Sequence, residues 1–260
     1  GSSNNAVGVD ALYANTTGAD NTGIGRAALI ANTTGINNVA VGNYALDANT
    51  TGTRNAAVGY GALGANTTAS YNSAFGMNAL ANNTTGGTNT ACGYDSLSAN
   101  TTGSYNTAVG YGALDANTTG PHNTAVGRDA LGVNTTGTQN IAVGNYSLDA
   151  CTTGDHHVAV GYGALTSLTT AEDCTAMGTD AGGDVTTGDN NTCIGAYAGR
   201  YWTGAAQGNT ACGYGAGSAY YSGAGSDGSY NTAIGYNCGS RLSSGDNNLL
   251  LGHDAGTPNS

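Results

Sequence analysis

Apolar positions in this chain recur with a fixed phase around one glycine. That glycine stands at Gly8, Gly25, Gly42, Gly59 and onward every seventeen residues to Gly195, then at Gly213, Gly235 and Gly252 after two longer intervals. The residue before it is always apolar, from Val7, Ile24 and Val41 through Phe75 and Cys92 to Ile234 and Leu251. Four residues after it comes a leucine in ten successive repeats, Leu12 through Leu165, preceded by alanine or serine. A disordered low-complexity chain has no reason to hold that phase. A repeat this short predicts a solenoid or fibre, built by stacking identical units.

Within one unit, Asn106 to Gly120 for example, stretches of β-branched and small residues alternate with turn-forming glycine and asparagine. This predicts two short strands and two turns per coil, about fifteen coils in all, and an all-β parallel β-solenoid. Successive coils then lie about 4.8 Å apart, with each residue above its equivalent. A helix is the poorer reading, because the glycines and threonines are weak helix formers. Aspartate two residues after the motif glycine (Asp10, Asp95, Asp129, Asp180, Asp254) never occurs in consecutive repeats, which avoids like charges facing each other across neighbouring strands.

Adjacent strand residues point to opposite faces, so Ala108 and Val109 cannot share one interior. The expectation is that alanine fills a thin coil interior while valine, and leucine with it, face partner chains. Burial within one coil falls short of the cost of ordering it, and packing three copies would add buried surface, so a homotrimer is expected.

The chain is read as one solenoid with two stretches: leucine-containing repeats over 1–181 and variant repeats over 182–260, where the leucine column becomes Gly182, Gly199, Gly217, Gly239 and Gly256. Both longer intervals lie in the second stretch and carry Tyr201 and Trp202, and Tyr220 and Tyr221. Loops that leave a solenoid project from it, and exposed aromatics suit sugar stacking or receptor contact, so these four residues are the ligand-binding candidates. The tyrosines one place after the glycine (Tyr60, Tyr94, Tyr111, Tyr162, Tyr214, Tyr236) are read as packing or surface decoration.

Composition narrows the functional classes. Of 260 residues only 8% are charged, lysine is absent, five arginines are scattered singly, and the net charge is −11, which argues against binding a phosphate backbone. No apolar stretch approaches the roughly 20 residues that cross a bilayer, and no basic-then-apolar leader precedes the first repeat. Membrane insertion is therefore not expected. No nucleophile, base and orienting carboxylate recur at a recognisable spacing, so no enzyme is expected and no catalytic residue assigned.

The six cysteines fit no zinc spacing, and four histidines add little, so no metal site and no cofactor are expected. Cys92, Cys193, Cys212 and Cys238 replace valine or alanine at positions read as inward, and Cys174 and Cys193 are the one pair to test for a bridge, although free thiols are favoured. Gly-Asp-Asn-Asn at Gly188 and Gly245 hints at calcium but lacks clustered carboxylates.

The run Asn-Thr-Ala-Val-Gly-Tyr-Gly-Ala-Leu at Asn106 to Leu114, echoed at Asn123 to Leu131, resembles the head repeats of trimeric autotransporter adhesins and the repeats of bacteriophage tail fibres and proteins with tail-fibre domains. The family head repeat is shorter, and three extra residues fall around Asn117 to Gly120. The resemblance covers nearly the whole chain. It implies a left-handed β-roll, trimerisation, an extracellular place on a virion or bacterial cell surface, and attachment to a glycan or protein receptor on a host or cell surface.

Two other readings stand beside it: a structural surface filament without a specific receptor, and an ice-binding solenoid. The latter would use the Asn-Thr-Thr ranks that recur in eight successive repeats from Asn15 to Asn134.

Overall fold

The computed structural model describes residues 1–218, 227–242 and 244–256. The chain forms two compact units, Gly1–Asp129 and Ala130–Ser260. The first holds eight strands from β1 (Asn5–Val7) to β8 (Thr124–Val126), and the second holds seven from β9 (Ile141–Val143) to β15 (Leu249–Leu251). Each strand is three residues long. Within each unit every strand pairs in parallel with the next, and the register places equivalent residues opposite each other: Ala57 faces Ala74 and Val58 faces Phe75 in the first unit, Ala159 faces Ala176 in the second. Each unit is thus a parallel β-solenoid with a seventeen-residue repeat.

A coil contains one strand where two were expected. The segment after the motif glycine is a run of tight turns, because two of its residues take left-handed backbone: the position two after the glycine (Asp95, φ 52; Asp129, φ 52) and the leucine (Leu46, φ 51; Leu114, φ 52). An extended strand cannot pass through those angles. The turns still stack, and their amides bond to the following coil, as in Leu63 N to Ala79 O at 3.0 Å and Ala65 N to Ala81 O at 2.9 Å. The leucine pays for its place with an unfavourable backbone conformation of about 1 kcal/mol or more, set against full burial of an isobutyl group.

The motif glycine is fixed by geometry. Gly42 has φ +133, and a Cβ placed there would lie 2.5 Å from the carbonyl oxygen of Gly59 in the next coil. Close stacking of coils therefore excludes any side chain at this column.

The interior takes both apolar columns. The central strand alanine is buried, as expected, and the residue after it points outward and stays part-exposed. The leucine column corrects the expectation: Leu29 through Leu165 are fully buried inside the coil and do not face outward. Cys92 and Cys212 are likewise corrected, since both sit in the outward valine column, Cys92 exposed and Cys212 part-exposed. The aspartates meet neutral neighbours, as where Asn78 Nδ2 donates to Asp95 Oδ1 at 3.0 Å.

Two buried asparagine columns complete the interior. In one, Asn49 Nδ2 donates to Asn32 Oδ1 of the preceding coil at 2.9 Å and to the carbonyl of Gly52 at 3.1 Å. In the other, Asn38 N donates to Asn21 Oδ1 at 2.9 Å while Asn38 Nδ2 donates to the same Gly52 carbonyl at 2.8 Å. A short carboxamide carries a donor and an acceptor along the stacking direction, which an ionised aspartate does not, and it leaves the turn carbonyls satisfied.

In the second unit the first of these columns changes to Cys151 and Leu168 beside Leu148 and Leu165, and then to Val185 and Trp202 where the leucine column becomes Gly182 and Gly199. In these last two coils the changes compensate. Glycine adopts the required left-handed conformation without strain (Gly182, φ 60; Gly199, φ 59), and the larger side chain three residues on refills the space. A Cβ on Gly199 or on Gly217 would lie 2.7 Å from the Trp202 ring.

Gly42→Ala is expected to cost about 2 kcal/mol or more, from the forbidden φ together with the steric overlap, read by chemical denaturation. Trp202→Ala is expected to cost about 3 to 5 kcal/mol. Gly199→Ala should then cost less in the Trp202→Ala background than in the native chain, since the ring it strikes is gone; equal costs in a double-mutant cycle would contradict this packing.

Candidate functional site

The four aromatic candidates do not come together as a loop-borne surface. Trp202 is only 4% exposed and fills the interior, so its ring is unavailable to a ligand. It is buried because the glycine column beside it leaves a void that only a large ring fills. Tyr220 and Tyr221 lie outside the described residues. Tyr201 remains part-exposed at the surface.

Around Tyr201 the second unit forms an open cleft of about 370 Å³, lined by Tyr197, Arg200, Tyr201, Tyr214, Gly215, Ser218, Tyr236 and Asn237. Stacking of coils builds it. Tyr214 and Tyr236 follow the motif glycines of adjacent coils, so their rings are brought face to face, with centroids 5.4 Å apart and planes within 12°. Each ring is 49% exposed. Tyr197 meets Tyr214 edge to face at 5.6 Å and 81°. On the other side, His253 continues the stack from Tyr236 at 5.2 Å.

Arg200 crosses this aromatic group. Its guanidinium carbon lies 5.2 Å from the Tyr197 ring centre and 5.3 Å from that of Tyr201, within cation–π range. Its Nη1 is 3.5 Å from Asp180 Oδ2. Asp184 also faces Arg200; burial pushes its carboxyl above the usual carboxylate range, and the attraction to Arg200 opposes that rise without cancelling it. The cleft thus offers ring faces, hydroxyls and amide groups, and a single cation whose charge is already answered.

Tyrosines read as decoration in the sequence, Tyr214 and Tyr236, are two of the four tyrosines that line this cleft. The available signal was their column: residues one place after successive motif glycines lie above one another, and Tyr214, Tyr236 and His253 are the longest unbroken aromatic run there.

The interior of the same unit holds the titratable groups. His157 occupies the second asparagine column and is fully buried. Its Nδ1 accepts from Cys174 N at 3.2 Å and its Nε2 lies 2.8 Å from the Ala171 carbonyl, which assigns the proton to Nε2. The imidazole thereby reproduces the acceptor and donor of the carboxamide it replaces. Burial lowers its pKa below the ordinary value, against the raising effect of the Ala171 carbonyl and of Asp155 and Asp173.

The next residue in that column is Cys174, whose Sγ donates to the Gly188 carbonyl at 3.3 Å. All six cysteines are free thiols, Cys174 and Cys193 included. Burial pushes Cys151 and Cys174 up to about 11, which keeps them in the unreactive thiol form. Among the described residues no three or more histidine, cysteine, aspartate or glutamate side chains cluster as a metal site would require.

A lowered folded-state pKa means that the unfolded chain binds the His157 proton first as pH falls. Stability is then complete above the ordinary histidine value of about 6.5 and is lost as pH drops below it toward the folded value. His157→Asn, which restores the column, should remove that part of the acid sensitivity when urea midpoints are compared between pH 7.5 and 5; an unchanged slope would contradict the assignment. No family model, curated protein or solved structure matches this chain.

Proposed function

We propose that this chain is an extracellular fibre or adhesin segment, as in a bacteriophage tail fibre, that acts in attachment to a host or cell surface and performs no catalysis. In this reading the coil is a left-handed β-roll, three copies associate side by side, and the assembly stands on a virion or bacterial surface. Its partners are further copies of itself and a surface glycan or protein receptor. Nucleic acid and membrane insertion have no part in it; among the described residues no helix is long and apolar enough to cross a membrane.

The observation that carries the reading is the outward valine column. Every coil places an apolar side chain on the outer strand face, including Ile24 at 41% exposure, Phe75 at 44% and Met177 at 46%. Single exposed apolar residues are ordinary on a protein surface, whereas a ladder of them at one position of every strand forms a contiguous stripe of the kind that marks an interface. Association along that stripe would add buried apolar surface to that of the interior alanine and leucine columns. Repetition of one surface in every layer suits a shaft that sets a binding element away from its anchor.

A specific observation supports ice binding as a second reading. The second threonine of each Asn-Thr-Thr, such as Thr34, Thr51, Thr68 and Thr85, is exposed in a regular, uncharged rank. The first threonine of the pair is engaged within the ladder, as where Thr33 Oγ1 donates to Thr50 O at 3.0 Å, leaving one free rank per face. Thermal hysteresis at millimolar chain concentration distinguishes this reading from attachment.

Light scattering is expected to give three times the 25.4 kDa chain mass. Phe75→Asp together with Val109→Asp, both outward-facing, should reduce that mass to one chain while leaving the β-sheet circular dichroism signal in place. A native chain that is monomeric at micromolar concentration would overturn the association.

A further inference from the structure

We infer that copies of this chain meet through one edge of the first unit, an apolar patch centred on Phe75, Met77, Tyr94 and Tyr111. The inference rests on the association proposed above and says where along the chain it occurs. The second unit stands outside the contact.

The patch arises where two outward columns run side by side. The residues before and after the motif glycine are separated by a position that carries no side chain, and the strand ends there in a bend, so the two columns flank one edge of the coil. In the column after the glycine, Asn43 is followed by Tyr60, Met77, Tyr94 and Tyr111 in successive coils and then by Arg128. Over the same coils the column before the glycine holds Val58, Phe75, Cys92 and Val109. Tyr60, Phe75, Met77, Tyr94, Val109 and Tyr111 are all exposed, and so is Cys92.

The surface is also held in shape. Tyr94 and Tyr111 stack with centroids 5.4 Å apart and planes within 8°, and the Arg128 guanidinium carbon lies 5.8 Å from the Tyr111 ring centre. The stacked rings cover each other's faces, so a partner meets a fixed row of ring edges and hydroxyls beside the apolar strand column. Phenylalanine, tyrosine, methionine and arginine are the residue types that concentrate in the cores of protein interfaces.

Area and charge choose a second copy as the occupant. At about 100 Å² for each half-exposed large side chain, the patch offers on the order of 600 Å², most of the roughly 800 Å² per partner that a stable interface buries. Over Gly1–Asp129 six aspartates stand against three arginines, a net charge of −3, whereas over Ala130–Ser260 ten carboxylates stand against two arginines, a net charge of −8. Copies of an acidic chain repel one another, and the repulsion is least where the first units approach. An edge that is apolar on both flanks suits three copies around one axis, each flank against a different neighbour.

The test pairs oligomer mass with labelling of the exposed thiols of the full chain by N-ethylmaleimide. The native chain is expected to scatter as three chains. Its Cys92 should react more slowly, by about tenfold or more, than Cys92 of the monomeric Phe75→Asp/Val109→Asp chain, because a covered thiol is out of reach. Cys212, which occupies the same column in the second unit, should react at one rate in both. Met77→Asp/Tyr111→Asp leaves the strand untouched and should give the mass of one chain with the β-sheet circular dichroism signal intact. Ile194→Asp/Ile234→Asp, in the outward column of the second unit, should keep the mass of three.

Three chains with Cys92 freely labelled, or a Met77→Asp/Tyr111→Asp chain that stays trimeric, would overturn the patch and spare the association. Equal protection of Cys92 and Cys212 would overturn its confinement to the first unit, and a native monomer would overturn association and patch together. Attachment of the same variants to cells is scored in parallel: if Met77→Asp/Tyr111→Asp loses attachment yet keeps the mass of three chains, the occupant is a receptor and not a second copy. Protection of Cys92 in a trimer that attaches to nothing supports the patch and counts against the attachment function.

Discussion

In-register stacking of coils is the constraint on which the rest of this structure depends. Because the backbone of one coil rests directly on the next, every coil must repeat the same sequence of backbone angles at the same positions. The motif glycine shows the force of that requirement: at φ near +130 with a carbonyl of the following coil against its Cα, it admits no other residue. Its seventeen-residue spacing is thus the direct record of coil length in the sequence.

Within that fixed backbone, side chains are free to trade places so long as volume and hydrogen bonding are conserved. The early coils fill the interior with leucine and asparagine, and the later ones with glycine and a larger apolar residue three positions on. Leucine tolerates a left-handed backbone because its burial outweighs the strain, while glycine needs no such offset but leaves a void. Trp202 is the limiting case, a ring that spans the space beside Gly199 and Gly217. His157 is the polar equivalent, an imidazole that keeps the donor and acceptor of the asparagine it replaces.

Stacking, register, the inward alanine and the outward valine were all legible in the sequence, because each follows from one periodic column. What the sequence concealed has a common physical origin. Leucine adopts a left-handed angle that no propensity scale assigns to it, and the aspartates, asparagines and glycines that dominate the position two residues before it favour the same region, so turns occur where a second strand was expected. That same error turned leucine outward. Trp202 was judged by its place in an interrupted repeat, when the decisive neighbours are Gly199, three residues before it, and Gly217, one coil away. The cleft was partly visible: Tyr201 belongs to it, but Tyr214 and Tyr236 stood in a column where the same stacked pairing occurs at Tyr94 and Tyr111, so the column alone did not single them out. The asparagine before most strands forms a buried carboxamide ladder that has no sequence signature beyond its own recurrence.

The polar ladders have a thermodynamic consequence for the chain as a whole. Unfolding would expose alanine methyls and a limited set of leucines together with many carboxamides and turn carbonyls. Newly hydrated apolar surface raises the heat capacity, while newly hydrated amide surface lowers it. The increment per residue should fall below the roughly 12 to 15 cal/mol/K common to globular domains. Such a chain has a shallow stability curve, because buried carboxamides share its interior with the alanine and leucine columns.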